Sequence, residues 1–438
     1  MPFQFLTYLQ PTHYFRLFNA SGASAYPIVS ELPKTVLDTL TVDGHYHSET
    51  ARAYDLSWQA IQAGYIGDIP CYTAFEAVSL FDNYYFIRKQ FHPAWVLYVL
   101  LMRLLTFHNP IQEIRAWWAS GKIAVSNTAI HPITYPDWNG FESDMLVSAP
   151  LVSVVIPTLN RYEYLKAVLH DFEAQDYPNF ELIIVDQSEP FQPDFYKAFD
   201  LDIRVARQEE KALWLARNTA VTLAKGDLIA LSEDDVRIAP DWLSNHIQCL
   251  DYFDAQVSAG VFYAAGSTIP QDRSFFAMAT QFATGNAMLY KSVFEAVGLF
   301  DRQFEKQRMG DGEFGARVYL AGIRSVSNPY ASCIDVKAGT GGLREMGSWD
   351  AFRPSNFFAP RPIPSVLYYF RSYYGNSAAR WALWRTIPIS IFPYQFKKNK
   401  PLLVIGALLS VLLLPVVCCQ VFSSWHLASK KLRDGAWS

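Results

Sequence analysis

The chain has 438 residues, room for two or three domains and at least one large core. Its formal net charge is −4 and it carries no long basic tract, which argues against a nucleic-acid partner. Aromatic residues make up 16% of it, much of this outside the segment that reads as an α/β core, as in chains with a membrane-facing or aromatic-rich surface. Five cysteines, Cys71, Cys249, Cys333, Cys418 and Cys419, show no metal-ligand spacing and read as reduced thiols in a cytosolic setting. The start, Met1-Pro2-Phe3-Gln4-Phe5-Leu6, lacks the basic stretch and small-residue cleavage site of a signal peptide.

Residues 1–148 read as an accessory region of unknown role. Helical periodicity runs from Glu49 to Ala63 and from His92 to Trp118. The second segment holds the apolar run Trp95–Met102, too short for a bilayer span and followed by Arg103; it predicts a core or interfacial helix. His45-Tyr46-His47 with Glu49 reads as a polar loop, since no further ligand spacing supports a metal.

A boundary near Met145–Pro150 opens an alternation of strand and helix. Val152–Ile156 is a β-branched run without charge, as in a strand buried on both faces. Leu165, Val168, Leu169 and Phe172 follow at helical spacing, then Leu182–Val185, Ile203–Val205, a helix over Lys211–Ala224, and Leu228–Leu231. Strands separated by helices of this length predict parallel units, whose ligands bind beyond the carboxyl ends of the strands. Asn160, Asp186 and Glu233-Asp234-Asp235 all follow such ends. An apolar strand running into three carboxylates is costly unless a cation sits there. Extended-chain alternation puts Glu233 and Asp235 on one side and Asp234 on the other. Two hard oxygen ligands suit Mg²⁺ or Mn²⁺ held together with phosphate oxygens. The plainer alternative is an acidic turn capping a helix near Pro240.

These residues resemble the family 2 glycosyltransferases. Val152 to Arg161 looks like the family's opening strand and loop, Val185-Asp186-Gln187-Ser188 is similar to the motif whose aspartate contacts the nucleotide base, and Leu215–Ala220 followed by Lys225-Gly226-Asp227 resembles the helix and turn leading into its metal motif. Thr284-Gly285-Asn286-Ala287 and Lys291–Asp301 match further. The resemblance covers about residues 151–345 and implies a GT-A, Rossmann-like mixed sheet flanked by helices over 149–355. It implies nucleotide-sugar contacts from Pro157, Thr158, Asn160, Asp186, Arg217, Asp234, Gly285 and Asn286, and a divalent cation, Mg²⁺ or Mn²⁺, on Glu233 and Asp235. Glu233 stands where the family has Asp in Asp-x-Asp. In Met309-Gly310-Asp311-Gly312-Glu313, the resemblance implies Asp311 as the base of an inverting transfer, with Glu313 second. Asp335, where relatives often have histidine, reads as a third oxygen ligand or a plain strand-end acid, and Gly339–Gly342 with Lys337 and Arg344 as a lid or a mobile loop.

At the carboxyl end, residues 356–400 read as an aromatic and basic interfacial segment, and 401–425, free of charge, as a membrane-spanning helix roughly 37 Å long, with Pro415 kinking it and a short tail after it. Five Lys or Arg lie in 380–400 against Lys430, Lys431 and Arg433 beyond, which predicts a single-pass protein with its catalytic side in the cytoplasm. The reading is transfer of one sugar to a saccharide or lipid-linked acceptor in surface-polysaccharide synthesis. A processive synthase is the alternative, but Ser377-Ala378-Ala379-Arg380-Trp381 lacks the glutamine of the processive Gln-x-x-Arg-Trp string. An inactive binding scaffold is the other.

Overall fold

The structure, a computed structural model, describes residues 1–123, 131–279, 283–338, 351–353, 356, 358–392, 396 and 399–437. The chain divides into two units, Met1–Ile133 with Phe370–Leu412, and Thr134–Tyr369 with Leu413–Ser438. The N-terminal part of the first unit therefore ends at 133, not at 148. Trp138 is buried against Tyr252 and Phe276, and the Ser143 hydroxyl donates to Asp251 (2.5 Å), so 134–148 is fastened to the second unit.

In the second unit nine strands form one mixed sheet: β1 Val152–Thr158, β2 Phe180–Asp186, β3 Ile203–Arg207, β4 Leu228–Leu231, β5 Val236–Ile238, β6 Val257–Ala264, β7 Ala277–Met278, β8 Ala287–Tyr290 and β9 Ser325–Asp335. The order is β3-β2-β1-β4-β8-β6-β9-β5, with β7 on β9. The pairs β1–β2, β2–β3 and β1–β4 are parallel, as expected from the βα alternation; β8 runs antiparallel to β4 and β6. Every residue of β1 and β4 is buried, which is why those segments carry no charge. The order reverses at β1: β2 lies on one side of it and β4 on the other. The carboxyl ends of β1 and β4 thus flank the crevice where open sheets bind ligands. Helix Tyr162–Glu173 buries Leu165, Val168, Leu169 and Phe172 in one core with Trp242, Leu243 and Ile247 of helix Trp242–Tyr252. This mixed α/β sheet flanked by helices is the architecture the sequence leads one to expect.

His246 is wholly buried on that second helix. Its Nε2 lies 3.2 Å from Asn286 Oδ1 and its Nδ1 2.8 Å from Ser258 Oγ. An amide oxygen only accepts, so the ring is neutral with its proton on Nε2. Burial pushes its pKa down to about 3. The unfolded chain therefore takes up a proton that the folded one refuses, and this stability is whole above pH 6.5 and lost as pH falls toward 3. We expect the stability of the wild type relative to His246→Gln to fall between pH 7 and pH 5 by up to about 2 kcal/mol, at roughly 1.4 kcal/mol per unit, the comparison cancelling the titration of other groups such as Glu233 and Asp234. A difference between the melting temperatures of the wild type and His246→Gln that is level over that range in differential scanning calorimetry contradicts the assignment.

Two C-terminal expectations change. Helix Pro364–Thr386 is kinked at Gly375 (φ 80°), and Val366 to Tyr369 are buried, with the Tyr368 hydroxyl donating to Asp301 (2.8 Å). That stretch belongs to the core and is not an interfacial face. The charge-free run 401–425 is divided between helices Lys400–Leu412 and Leu414–Asp434; among the described residues no single helix is long and apolar enough to cross a membrane, and this bent pair alone is, by length and composition. Pro415 lies in the first turn of the second helix, where its missing N–H costs nothing but where the preceding helix cannot run through it.

The first unit is helical. The expected helix His92–Trp118 is two, Pro93–Leu105 and Pro110–Gly121, because Asn109 caps the second through the N–H groups of Ile111 and Gln112 and Pro110 begins it. His45 accompanies Asp43 and Tyr85, and His47 stacks on Phe81.

Candidate functional site

Residues 232–235 form the turn between β4 and β5, so strand alternation does not govern them. Asp234 and Asp235 do not point apart. Arg161, at the entry to helix Tyr162–Glu173, places Nη1 3.0 Å from a carboxylate oxygen of each. Asp234 also accepts from the Thr158 hydroxyl at the end of β1 (2.8 Å) and is enclosed. Glu233 departs from both: its Oε1 lies 3.4 Å from Arg217 Nη2, and its side chain is 38% exposed, against 12% for Asp235. A Cβ on Gly285 would stand 2.4 Å from the Glu233 carboxyl, so only glycine there lets the acid lie against that backbone.

Arg217, from helix Leu213–Leu223, is itself buried, with its guanidinium over the Trp214 ring. Its Nη1 donates to the Thr284 hydroxyl (2.6 Å), which in turn donates to Asp311 Oδ1; the Thr284 N–H reaches the same oxygen (3.0 Å). One chain of contacts, Glu233–Arg217–Thr284–Asp311, therefore joins the acidic turn to the N-terminus of helix Gly310–Leu320. Asp311 Oδ2 has no hydrogen-bond partner among the described residues. Gly310 is explained by Trp214: a Cβ would lie 2.1 Å from the indole. Met309 before it takes the left-handed conformation (φ 80°).

The acids exceed the cations facing them. Desolvation by the surrounding protein, although the side chain is partly exposed, and the neighbouring Asp235, Asp311 and Asp234 raise Glu233 to about 7 against the opposing Arg217. Burial likewise raises Asp234 to about 6, despite Arg161. Among the described residues no group of three His, Cys, Asp or Glu is placed to hold a metal ion. The donor set fits a divalent cation nonetheless: hard carboxylate oxygens with uncompensated charge, sufficient for an ion that completes its shell with ligand oxygens.

Other expected residues lie elsewhere or serve the frame. Asn286 is wholly buried; its Oδ1 accepts from Trp242 Nε1 (2.9 Å) and from His246, and its Nδ2 donates to Val261 O and Ala331 O. Its amide is spent in the core, which corrects its placement among the donor contacts. Asp186 is enclosed too, its carboxylate taking the Tyr162 hydroxyl (2.6 Å), the Tyr196 hydroxyl (2.7 Å) and the Ser188 N–H (2.8 Å). Glu313 points into a fork with Arg317 Nε and Nη2 (2.8 and 2.9 Å); Nη1 of that arginine holds the carbonyls of Val297 and Gly298, and Nη2 also that of Leu299. It braces a loop. Asn160, in the left-handed region (φ 55°), ties the β1 loop to the β2 loop through Ser188 Oγ and the Glu189 N–H. Pro157 is buried within β1. Asp335 ends β9 and accepts from the Lys337 N–H (2.9 Å), the geometry of a plain strand-end acid. Gly339–Gly342 and Arg344 lie outside the described residues.

Arg161 and Thr284 are residues of this cluster to which the sequence reading gave no role. Arg161 adjoins Asn160, and Thr284 adjoins Gly285, so position in a motif was the only signal.

Residues 153–301 match the sequence profile described as glycosyl transferase family 2. Glycosyltransferase GlyA of Streptococcus pneumoniae is 25% identical over 162 residues, 36% of this chain and 22% of that protein. Putative glycosyltransferase EpsH of Bacillus subtilis is 32% identical over 100 residues, 22% of this chain and 29% of that one. The chain thus spans less than a third of either relative. A mannosyltransferase structure from Pyrobaculum calidifontis, in complex with GDP-Man and Mn²⁺, aligns over 68% of this chain and 92% of its own, at 17% identity and a TM-score of 0.42.

Proposed function

With residues 153–301 a family 2 glycosyltransferase domain, we propose that the chain transfers a single sugar, with inversion, from a nucleoside-diphosphate sugar to a hydroxyl of a glycan or lipid-linked acceptor in surface-polysaccharide synthesis. The observation that carries this reading is the chain of contacts from Glu233 through Arg217 and Thr284 to Asp311. It sets a group for the leaving diphosphate and a group for the incoming hydroxyl on one frame.

Inversion requires that the acceptor oxygen attack as the bond from the anomeric carbon to the diphosphate breaks, through a transition state with oxocarbenium character. Asp311 takes the acceptor's proton. Thr284 fixes one of its oxygens through two donors, and the other is left to accept. Glu313, locked by Arg317, is unsuited to that role. A divalent cation held by Glu233 and Asp235 would supply positive charge for the departing diphosphate. Arg217 orients Glu233 from the buried side, and Arg161 holds Asp234 and Asp235 together until the donor arrives.

The test is a panel of nucleotide sugars with Mn²⁺ or Mg²⁺ and saccharide acceptors, read as release of nucleoside diphosphate and as product length. We expect metal-dependent release with at least one donor and products longer by one residue. Absence of release from every donor favours the inactive scaffold, and long products favour the processive synthase.

A further inference from the structure

We propose that the helical hairpin Pro93–Leu105 and Pro110–Gly121 of the first unit is a docking face for an anionic lipid bilayer. This does not rest on the catalytic reading. The inner side of the pair is ordinary: Val96, Val99 and Leu100 are buried, and Arg103 of one helix grips Glu113 of the other (2.5 and 2.9 Å), with the Tyr84 hydroxyl on the same carboxylate (2.7 Å). The outer side is not. Leu97, Leu101 and Leu105 recur every fourth residue, which makes one stripe of a helix, and are 50%, 47% and 66% exposed. Ile111 (76%) and Trp118 (60%) continue the apolar surface on the second helix. Phe107, in the connection, is 97% exposed and held at φ 60°, a conformation an aromatic residue rarely adopts. Folding of this chain gains nothing from that placement.

Charge and length select the occupant. Between residues 92 and 122 the single acid is Glu113, 1% exposed and paired inside; the exposed charges are Arg115 and Lys122, both positive. Lys122 Nζ sits 3.6 Å from the centroid of the Trp118 ring, so a cation and an indole share one rim of the apolar face. An apolar face with Trp, Phe and Leu at its front and only cations at its edge matches a surface of acyl chains and anionic headgroups. Thirteen residues of helix reach about 20 Å, too short to span, so the hairpin lies in the interface. Helix Lys400–Leu412 of the same unit also leaves Val404, Leu408 and Leu412 exposed, and 401–425 carries no charge. The unit therefore presents a second lipid-compatible surface.

The experiment is co-sedimentation of the full chain with phosphatidylcholine vesicles, with and without phosphatidylglycerol. The wild type binds both and prefers the anionic ones. In a Leu408→Glu, Leu412→Glu background that removes the second surface, Leu101→Glu, Leu105→Glu and Ile111→Glu combined lower the bound fraction about tenfold or more relative to that background at an unchanged melting temperature. Arg115→Glu with Lys122→Glu keeps binding to neutral vesicles and removes the preference for phosphatidylglycerol; this pair still decides the matter if the triple variant does not fold. Undiminished binding by the triple variant in that background overturns the proposal. So does a wild type that ignores vesicles, whether it sediments as a monomer or as a dimer that the triple variant splits.

Discussion

Asp311→Asn is expected to bind a nucleotide-sugar donor with wild-type affinity and to transfer its sugar about 10²- to 10⁴-fold more slowly, the range for loss of a general base. Asparagine has the shape of aspartate and can still accept the Thr284 N–H through its amide oxygen, so the helix start at Gly310 and the Trp214 packing stay in place. What it cannot do is take a proton. The split between intact donor binding, measured by calorimetry, and lost turnover distinguishes a base from a residue that merely supports the fold. A Glu313→Gln comparison sharpens this. That substitution breaks the fork with Arg317, so it lowers the melting temperature before it alters chemistry. Normal turnover by Asp311→Asn refutes the assignment.

Glu233→Gln and Asp235→Asn are expected each to abolish most activation by Mn²⁺ or Mg²⁺, lowering turnover at saturating donor by about 10²-fold, which corresponds to roughly 2.7 kcal/mol of transition-state stabilisation. Both replacements keep size and one acceptor oxygen. Asparagine at 235 can still meet Arg161, and glutamine at 233 can still lie against Gly285. Their effect therefore reports charge and not shape. Glu233→Gln is expected to have the larger effect, because Glu233 is the more exposed of the two and Arg217 stands off at 3.4 Å. A metal titration read as nucleoside-diphosphate release measures this directly. Undiminished metal activation in both variants contradicts the role given to the acidic turn.

Much of the second unit was legible because its strands are buried on both faces. Val152–Ile156, Leu182–Val185 and Leu228–Leu231 leave no polar face to confuse the reading, and the polar residues after each strand fall at the crevice. The partners were not legible, because contact between distant segments leaves no local pattern. Arg161 finds Asp234 across 73 residues. Asn286 sits in a polar-looking motif, yet Trp242 and His246, one turn apart on another helix, consume its amide. Strand alternation misled at Glu233-Asp234-Asp235 because the chain has already turned there. The pairing of Glu313 was visible in principle: Arg317 lies four residues on, the spacing at which opposite charges meet on a helix. The division at Leu413 was likewise signalled by Pro415, whose effect on a long apolar run is to end one helix and begin another.

Arg161 now touches both Asp234 and Asp235, so a bound cation must displace or share that guanidinium. Crystals grown with Mn²⁺ and a nucleoside diphosphate, measured at the manganese absorption edge, locate the ion without ambiguity. The predicted result is one anomalous peak about 2.1 Å from a carboxylate oxygen of Glu233 or Asp235 and from a diphosphate oxygen. A diphosphate bound in the crevice with no peak beside those two acids would contradict it.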